Sequence, residues 1–269
     1  MRTASNARLF LRALATALLL PLTLPLFAED DKGGYRLLEL DGYKVKWGEQ
    51  TLGAGASISY AFADASMQFD NARNCRELVP MAALTGHALS VDVLEREATA
   101  AFRAWERAAN VTFHKIDDPR EADIVLGAQG QPVGTAFANV TYLPGSEDNV
   151  RLIDQALVCL NPEKQWKVGF DGDKDVYDIR YTLIHEIGHA IGLDHPGPEG
   201  QLMGFRYTEA FADLQPGDLR GIRQLYGPAA DKDRLAVVDT DTHPAETQAD
   251  HVSSADAPDA SRSMPFNEL

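Results

Sequence analysis

His185-Glu186-Ile187-Gly188-His189-Ala190-Ile191-Gly192-Leu193-Asp194-His195 is the stretch from which the rest of this sequence can be read. Residues four apart on an α-helix lie one turn apart on the same face, so His185 and His189 can each aim an imidazole nitrogen at one ion. Glu186 then lies beside them. Gly192 can take the positive φ that ends a helix and turns the chain sharply, which lets His195 return as a third ligand from outside the helix. Three neutral imidazoles leave one position of a tetrahedral zinc ion open, the arrangement of catalytic rather than structural zinc sites.

An H-E-x-x-H pair by itself also occurs on helical faces that bind nothing. The glycine and the third histidine at fixed offsets favour the metal reading. The whole stretch, H-E-x-x-H-x-x-G-x-x-H, resembles the signature of the metzincin metalloproteases, and within them most closely that of the matrix metalloproteases. The resemblance implies a turn methionine packed beneath the metal, and Met203 in Gln201-Leu202-Met203-Gly204-Phe205 follows at a suitable distance. It implies an α+β catalytic domain, a twisted mixed sheet of about five strands with three main helices at about 91–109, 176–192 and 216–226. It also implies one catalytic Zn2+, a polypeptide substrate and Glu186 as general base and acid. His195-Pro196-Gly197 occurs as well in the bacterial serralysins. Phe205, however, stands where serralysins and astacins place a metal-binding tyrosine, and it cannot coordinate.

Upstream, Val91, Leu94, Ala98, Phe102, Trp105 and Ala109 recur at helical spacing, which predicts an amphipathic helix. Ser57–Phe62 alternates as a first strand, and 111–113 and 122–126 read as short apolar strands with Pro119 in the turn between them. Downstream, Pro216 suits the first turn of a helix whose apolar stripe is Leu219, Ile222, Leu225 and Tyr226, and Gly227-Pro228 stops it. The resemblance spans about 57–227.

The same resemblance assigns substrate contacts. Val133–Phe137 is similar to the family's edge strand, so backbone groups of Gly134, Thr135 and Ala136 are expected to pair with an extended peptide. Tyr207, four residues after Met203, matches the tyrosine on the outer wall of the family's main side-chain pocket, with Phe205 beside it; the bland reading of Tyr207 is a packed tyrosine. The family's second, structural zinc uses histidines where this chain has Thr135 and Cys159, and 115–184 contains no histidine, so one zinc is expected. Cys75 and Cys159 are the two cysteines, read either as a disulfide or as two separate buried thiols. Asp171-Gly172-Asp173-Lys174-Asp175 lacks the glycine and closing glutamate of an EF-hand; an irregular Ca2+ site and a solvated acidic loop are its two readings.

The remainder sets the context. Arg2, Arg8 and Arg12 precede an apolar run, Ala13 to Phe27, that ends in Ala28, the pattern of a signal peptide at 1–28; the rival reading, an uncleaved anchor, has only 15 apolar-run residues broken by Pro21 and Pro25. Residues 29–52 are then an N-terminal extension, 53–228 the catalytic domain, and 229–269, rich in Asp, Ala, Ser and Pro, a disordered acidic tail. If 29–52 inhibited, an acid such as Asp41 would have to reach the metal, since no cysteine is available there. Loss of the leader takes the formal charge from −15 to −18, which argues against nucleic acid or anionic lipid as partner. The expectation is a monomeric zinc endopeptidase, secreted or periplasmic, with no stable membrane insertion. Its rivals are a non-catalytic adhesion or interaction protein on a metzincin scaffold and an enzyme acting on a non-peptide amide.

Overall fold

The computed structural model describes residues 34–70, 72–85, 89–145 and 149–229; the expected leader at 1–28 and the expected tail from residue 230 onward lie outside them. The described part opens with three short strands, β1 (Arg36–Leu37), β2 (Glu39–Leu40) and β3 (Tyr43–Lys46), followed by β4 (Ala56–Phe62), β5 (Met67–Gln68) and β6 (Glu77–Val79). Helix α1 (Val91–Ala108) leads into β7 (Val111–Lys115), β8 (Ile124–Gln129), β9 (Ala136–Tyr142) and β10 (Val150–Leu160). The last part holds β11 (Trp166–Lys167), β12 (Tyr177–Asp178), α2 (Ile179–Ala190), β13 (Leu193–Asp194) and α3 (Pro216–Tyr226).

The main sheet runs β2-β3-β10-β8-β4-β7, with β6 and β5 added at β8 and β9 antiparallel along the other side of β10. It therefore has nine strands against the five expected. The five are present as β4, β7, β8, β9 and β10; the surplus is four pieces of two to four residues, too short to show an alternating pattern. Pairing of β4, β8 and β10 is parallel, which buries both faces, and every residue of β8 is buried.

Ser90 caps α1 by accepting from the Val93 amide, and the helix lays Leu94, Ala98, Phe102 and Trp105 into the core. Phe102 stacks on Tyr60 of β4 with ring centroids 4.1 Å apart, and the Trp105 indole donates to the Ile184 carbonyl of α2 at 3.0 Å. Helix α2 starts three residues later than about 176, because Tyr177-Asp178 first pairs with β11 and Asp178 then caps the helix, accepting from the Tyr181 amide at 2.7 Å. From Tyr181 to Ala190 every residue of α2 is buried.

One expectation is corrected by the N-terminal segment. Residues 34–52 are not a separate extension but part of the same packing unit: β3 pairs in parallel with Val150–Leu152, and β1 pairs with β13 directly after the glycine turn. The Trp47 indole donates to the Ala190 carbonyl at 2.9 Å, and the Trp47 amide donates to the Tyr226 hydroxyl at 3.0 Å. That hydroxyl in turn donates to the Ile191 carbonyl at 2.8 Å. The C-terminal carbonyls of α2, left over by the helix, are thus satisfied by side chains from both ends of the domain. Gly192 has φ 98°, and a Cβ there would collide with the Val45 carbonyl, so a glycine is needed for both conformation and space. Among the described residues no helix is long and apolar enough to cross a membrane.

Candidate metal centre and substrate cleft

His185 and His189 project from consecutive turns of α2, and His195 returns from just beyond β13. Their Nε2 atoms form a triangle with edges of 2.9, 3.0 and 3.1 Å. A tetrahedral zinc with Zn–N of about 2.0–2.1 Å would set that edge at about 3.3 Å, so the triangle has the size of one tetrahedral face. The tautomers fit too. His185 Nδ1 lies 2.8 Å from the Leu202 carbonyl and His189 Nδ1 lies 2.8 Å from the Leu193 carbonyl. A carbonyl only accepts, so each Nδ1 carries the proton and each Nε2 presents a lone pair. Two Nε2 lone pairs aimed at each other and at His195 Nε2 in a largely buried pocket call for a cation. Among the described residues this is the group of His, Cys, Asp and Glu side chains placed to hold a metal ion. Glu186 follows His185 on the same turn and is 1% exposed.

Support for this cluster comes from a residue of the third predicted helix that the sequence alone did not single out. Asp218, at the N3 position of α3, accepts from the Leu202 amide at 2.9 Å, the Met203 amide at 3.1 Å and the Gln215 amide at 2.7 Å. Burial pushes its carboxyl above the ordinary range despite the three amides. The Met203 turn is thereby fixed against α2, where Met203 fills the space over Gly188. A Cβ on Gly188 would stand 3.0 Å from Met203 Cε and 2.9 Å from the Trp105 ring. The Gln215-to-Asp218 spacing, a capping-box pattern, was the available signal for Asp218.

Of the backbone groups expected to meet a peptide, the Gly134 and Thr135 carbonyls already have partners within the protein. Gly134 turns with φ 58°, and its carbonyl accepts from the Asn161 side chain at 2.7 Å. The Thr135 carbonyl accepts from the Asn161 amide at 3.0 Å, and Ala136 only begins β9, opposite Leu160. The Gly134 and Thr135 carbonyls are consumed inside the protein, whereas Leu160 and Ala136 form a pair that exchanges no bond, so the Ala136 amide and carbonyl face away from β10. The open edge begins at Ala136 and runs along β9, which pairs with β10 and has no second strand partner among the described residues. A groove of about 280 Å³ follows that edge from Phe137 to Tyr142 and reaches His189 and Asp194. Its opposite wall includes Leu38, Leu40 and Asp41. Asp41 does not meet the histidines; its carboxylate accepts from the Tyr142 hydroxyl at 2.7 Å and ties the N-terminal hairpin to β9. Asn139 also lines the groove, with its Oδ1 accepting from the Arg73 and Asn74 amides and its buried Nδ2 finding no acceptor among the described residues.

Phe205 is half-buried with its ring centroid 6.1 Å from that of His195, so it stands beside the metal cluster. Tyr207 does not form an exposed pocket wall. It is fully buried between Tyr177 and Tyr181, with centroids at 5.2 and 5.1 Å, and its hydroxyl accepts from the Asp178 amide and donates to Glu209. Sequence spacing places a residue but not the direction of its ring. Glu209 then accepts from the Gly172 amide at 2.6 Å and pairs with Lys167 Nζ at 2.6 Å. Lys167 also bonds Asp171 and the Asp173 carbonyl, so its ammonium sits where the acidic loop offers oxygen ligands. Burial opposes this charge, but the bonds from Asp171 and Glu209 outweigh it and raise Lys167 above its ordinary value. The reading of 171–175 as a calcium loop is displaced by an internal cation. Cys75 and Cys159 form a disulfide that fastens the 72–75 segment to β10.

With this geometry in place, a family model described as Matrixin matches residues 81–227. The chain is 29% identical over 139 residues to Metalloendoproteinase 1-MMP of Arabidopsis thaliana, covering 48% of this chain and 36% of that protein. It is 31% identical over 152 residues to interstitial collagenase B of Mus musculus, covering 52% and 30%. It is 28% identical over 144 residues to matrix metalloproteinase-25 of Homo sapiens, covering 48% and 25%. The chain spans about a third of the length of the first of these curated relatives. Matrixins use a catalytic zinc, and the three histidines here form a cluster able to hold one. The matched span takes in α1, the sheet strands from β7 onward, the histidine cluster and α3, and on that ground the chain belongs to the matrixin family, with a metzincin-type α+β catalytic domain.

Proposed function

We propose that this protein is a secreted, zinc-dependent endopeptidase in which Glu186 is the general base and acid. The observation that carries the reading is the triangle of three Nε2 atoms, 2.9–3.1 Å apart, with Glu186 buried on the same turn of α2. His185, His189 and His195 would hold the ion, which when bound supplies a Lewis acid that acidifies water and polarises a peptide carbonyl. Glu186 takes the proton of the attacking water and passes it to the leaving amine. Its burial keeps that transfer out of bulk solvent. The open edge of β9 receives an extended polypeptide through main-chain hydrogen bonds, which tolerates varied side chains. Asn139 Nδ2 is a donor available to a carbonyl laid along that groove. The Cys75–Cys159 disulfide supports an oxidising compartment outside the cytosol.

The test is Glu186→Ala, assayed for zinc by metal analysis and for hydrolysis of a denatured protein. The variant should keep about one zinc per chain and the fold, and lose roughly 10²–10⁴-fold in hydrolysis, the usual contribution of a positioned acid–base group. Near-parental hydrolysis in a zinc-loaded Glu186→Ala protein overturns the mechanism.

A further inference from the structure

Away from the metal cluster, the outer face of α1 carries basic side chains that the catalytic reading leaves unused. Arg96, Arg103 and Arg107 follow at intervals of seven and four residues, which places them on one face of the helix. Small side chains between them, Ala100 and Ala104, leave a trough that Arg180 of α2 and Asp213 close from the other side, enclosing about 540 Å³. Arg180 and Arg96 share the buried Glu97 carboxylate, at 2.6 and 3.4 Å. Arg103 and Arg107 are exposed and have no ion pair among the described residues. Four guanidinium groups around two carboxylates leave a basic trough on a chain whose formal charge is −15.

The course of the chain indicates what fills it. Beyond α3, the Gly227 carbonyl accepts from the Asn110 amide at 3.1 Å and Pro228 bridges Ala109, while the Arg223 guanidinium donates to the Ala108 carbonyl at 2.9 Å. The described chain therefore leaves the domain at the C-terminal end of α1, next to Arg107. Between Leu235 and Ser261 the sequence that follows holds Asp239, Asp241, Glu246, Asp250, Asp256 and Asp259 and no Lys or Arg. The stripe from Arg107 to Arg96 is about 17 Å long at 1.5 Å per helical residue. The eleven residues from Pro228 to Asp239 reach about 36 Å when extended. Both Asp239 and Asp241 can thus lie over the stripe.

We propose that the acidic segment 235–261 docks in the arginine trough of α1 in its own chain, with Asp239 and Asp241 on Arg103 and Arg107. Covalent attachment makes the contact intramolecular, so charge pairs that are individually weak act at high effective concentration. The contact is electrostatic and exposed, and it weakens as the Debye length shrinks from about 10 Å at 0.1 M salt to about 3 Å at 1 M. The trough also touches Ile184, beside His185, and Ala212-Asp213, so the docked segment lies against the outer side of the stretch that follows the Met203 turn.

The experiment uses the full zinc-loaded chain with Thr242→Cys carrying a nitroxide label, its intactness checked by mass. At about 50 mM salt the amide signals of 96–107 should lose several-fold in intensity, and the loss should vanish at 1 M salt. The double variant Arg103→Glu, Arg107→Glu should abolish the broadening, and adding Asp239→Lys and Asp241→Lys to that variant should restore it. The proposal fails if α1 is unaffected at low salt or if the broadening survives the double charge reversal. It fails equally if the trough takes an anionic vesicle or a separate acidic peptide while the label never approaches α1, which would assign this surface to another partner.

Discussion

At Gly188 the metal helix has no room for a methyl group. It lies between Met203, whose turn is locked by Asp218, and the Trp105 ring, whose indole is itself bonded to α2. Gly188→Ala should therefore destabilise the protein by roughly 1–3 kcal/mol, the cost of overpacking a close-packed core, and should weaken zinc retention because His185 and His189 flank it. Denaturant titration and zinc competition check this; a variant as stable as its parent would show that the Met203 turn can yield. Lys46 gives a second test at this scale. It is fully buried, its ammonium donates to the Trp47 and Glu49 carbonyls at 2.8 and 2.6 Å, and burial pulls its pKa from 10.5 down to about 8. Between these values the unfolded chain binds the proton and the folded chain does not, so stability should rise with pH from about 8 upward. Buried Tyr181 and Tyr226, raised above their ordinary 10 by burial, oppose the rise beyond pH 10. Unfolding free energies of the parent and Lys46→Met over pH 7–10 should show the climb in the parent only.

The segment after the Met203 turn and the loop before α2 behave as one element because Lys167 and Glu209 join them. Burial would raise the Glu209 carboxyl, but bonds from Lys167, the Gly172 amide and Tyr207 outweigh it and hold it below its ordinary 4.5. Its contribution is complete above about pH 4.5 and is lost as pH falls below that value, whereas that of Lys167, held above 10.5, is lost only as pH rises past 10.5. Lys167→Met removes one partner of a mostly buried pair and leaves Glu209 uncompensated, a change worth roughly 3–5 kcal/mol at neutral pH. Its stability should be lower than the parent's and should vary less between pH 3 and 5. Because Tyr207 hangs on Glu209, the loosened segment should also blunt any preference for the side chain next to the scissile bond. Thermal melts across that pH range and a peptide-library profile read both effects.

For the molecule as a whole, the Cys75–Cys159 bridge closes a separation of 84 residues and holds the 72–75 segment beside β9. Chain entropy assigns such a closure an upper value of about 4–5 kcal/mol, and measured bridges give about 2–4. Reduction, or Cys75→Ser with Cys159→Ser, should lower the thermal midpoint and weaken polypeptide binding in the groove, since Arg73 and Asn74 are anchored on Asn139. An unchanged midpoint would place the stabilisation elsewhere. Metal analysis should return about one zinc per chain; two tightly held ions would show that non-histidine groups make a second site.

The sequence by itself determined what depends on neighbours in the chain. One helical turn separates His185 from His189, a glycine turn brings back His195, and the periodicity from Val91 to Ala109 and from Pro216 to Tyr226 marks two helices to within a residue. It could also locate Tyr207 and Gly134 by their offsets, but not the direction in which they point, and the structure turns both inward. Only the tertiary structure decided that Trp47 closes the end of α2, that Asp218 fixes the Met203 turn, that Lys167 pairs with Glu209 and that Asp41 joins Tyr142. These bonds connect groups 15 to 143 residues apart. Periodicity and spacing report the faces of single elements, whereas a buried polar group takes whichever partner the assembled fold brings within about 3 Å.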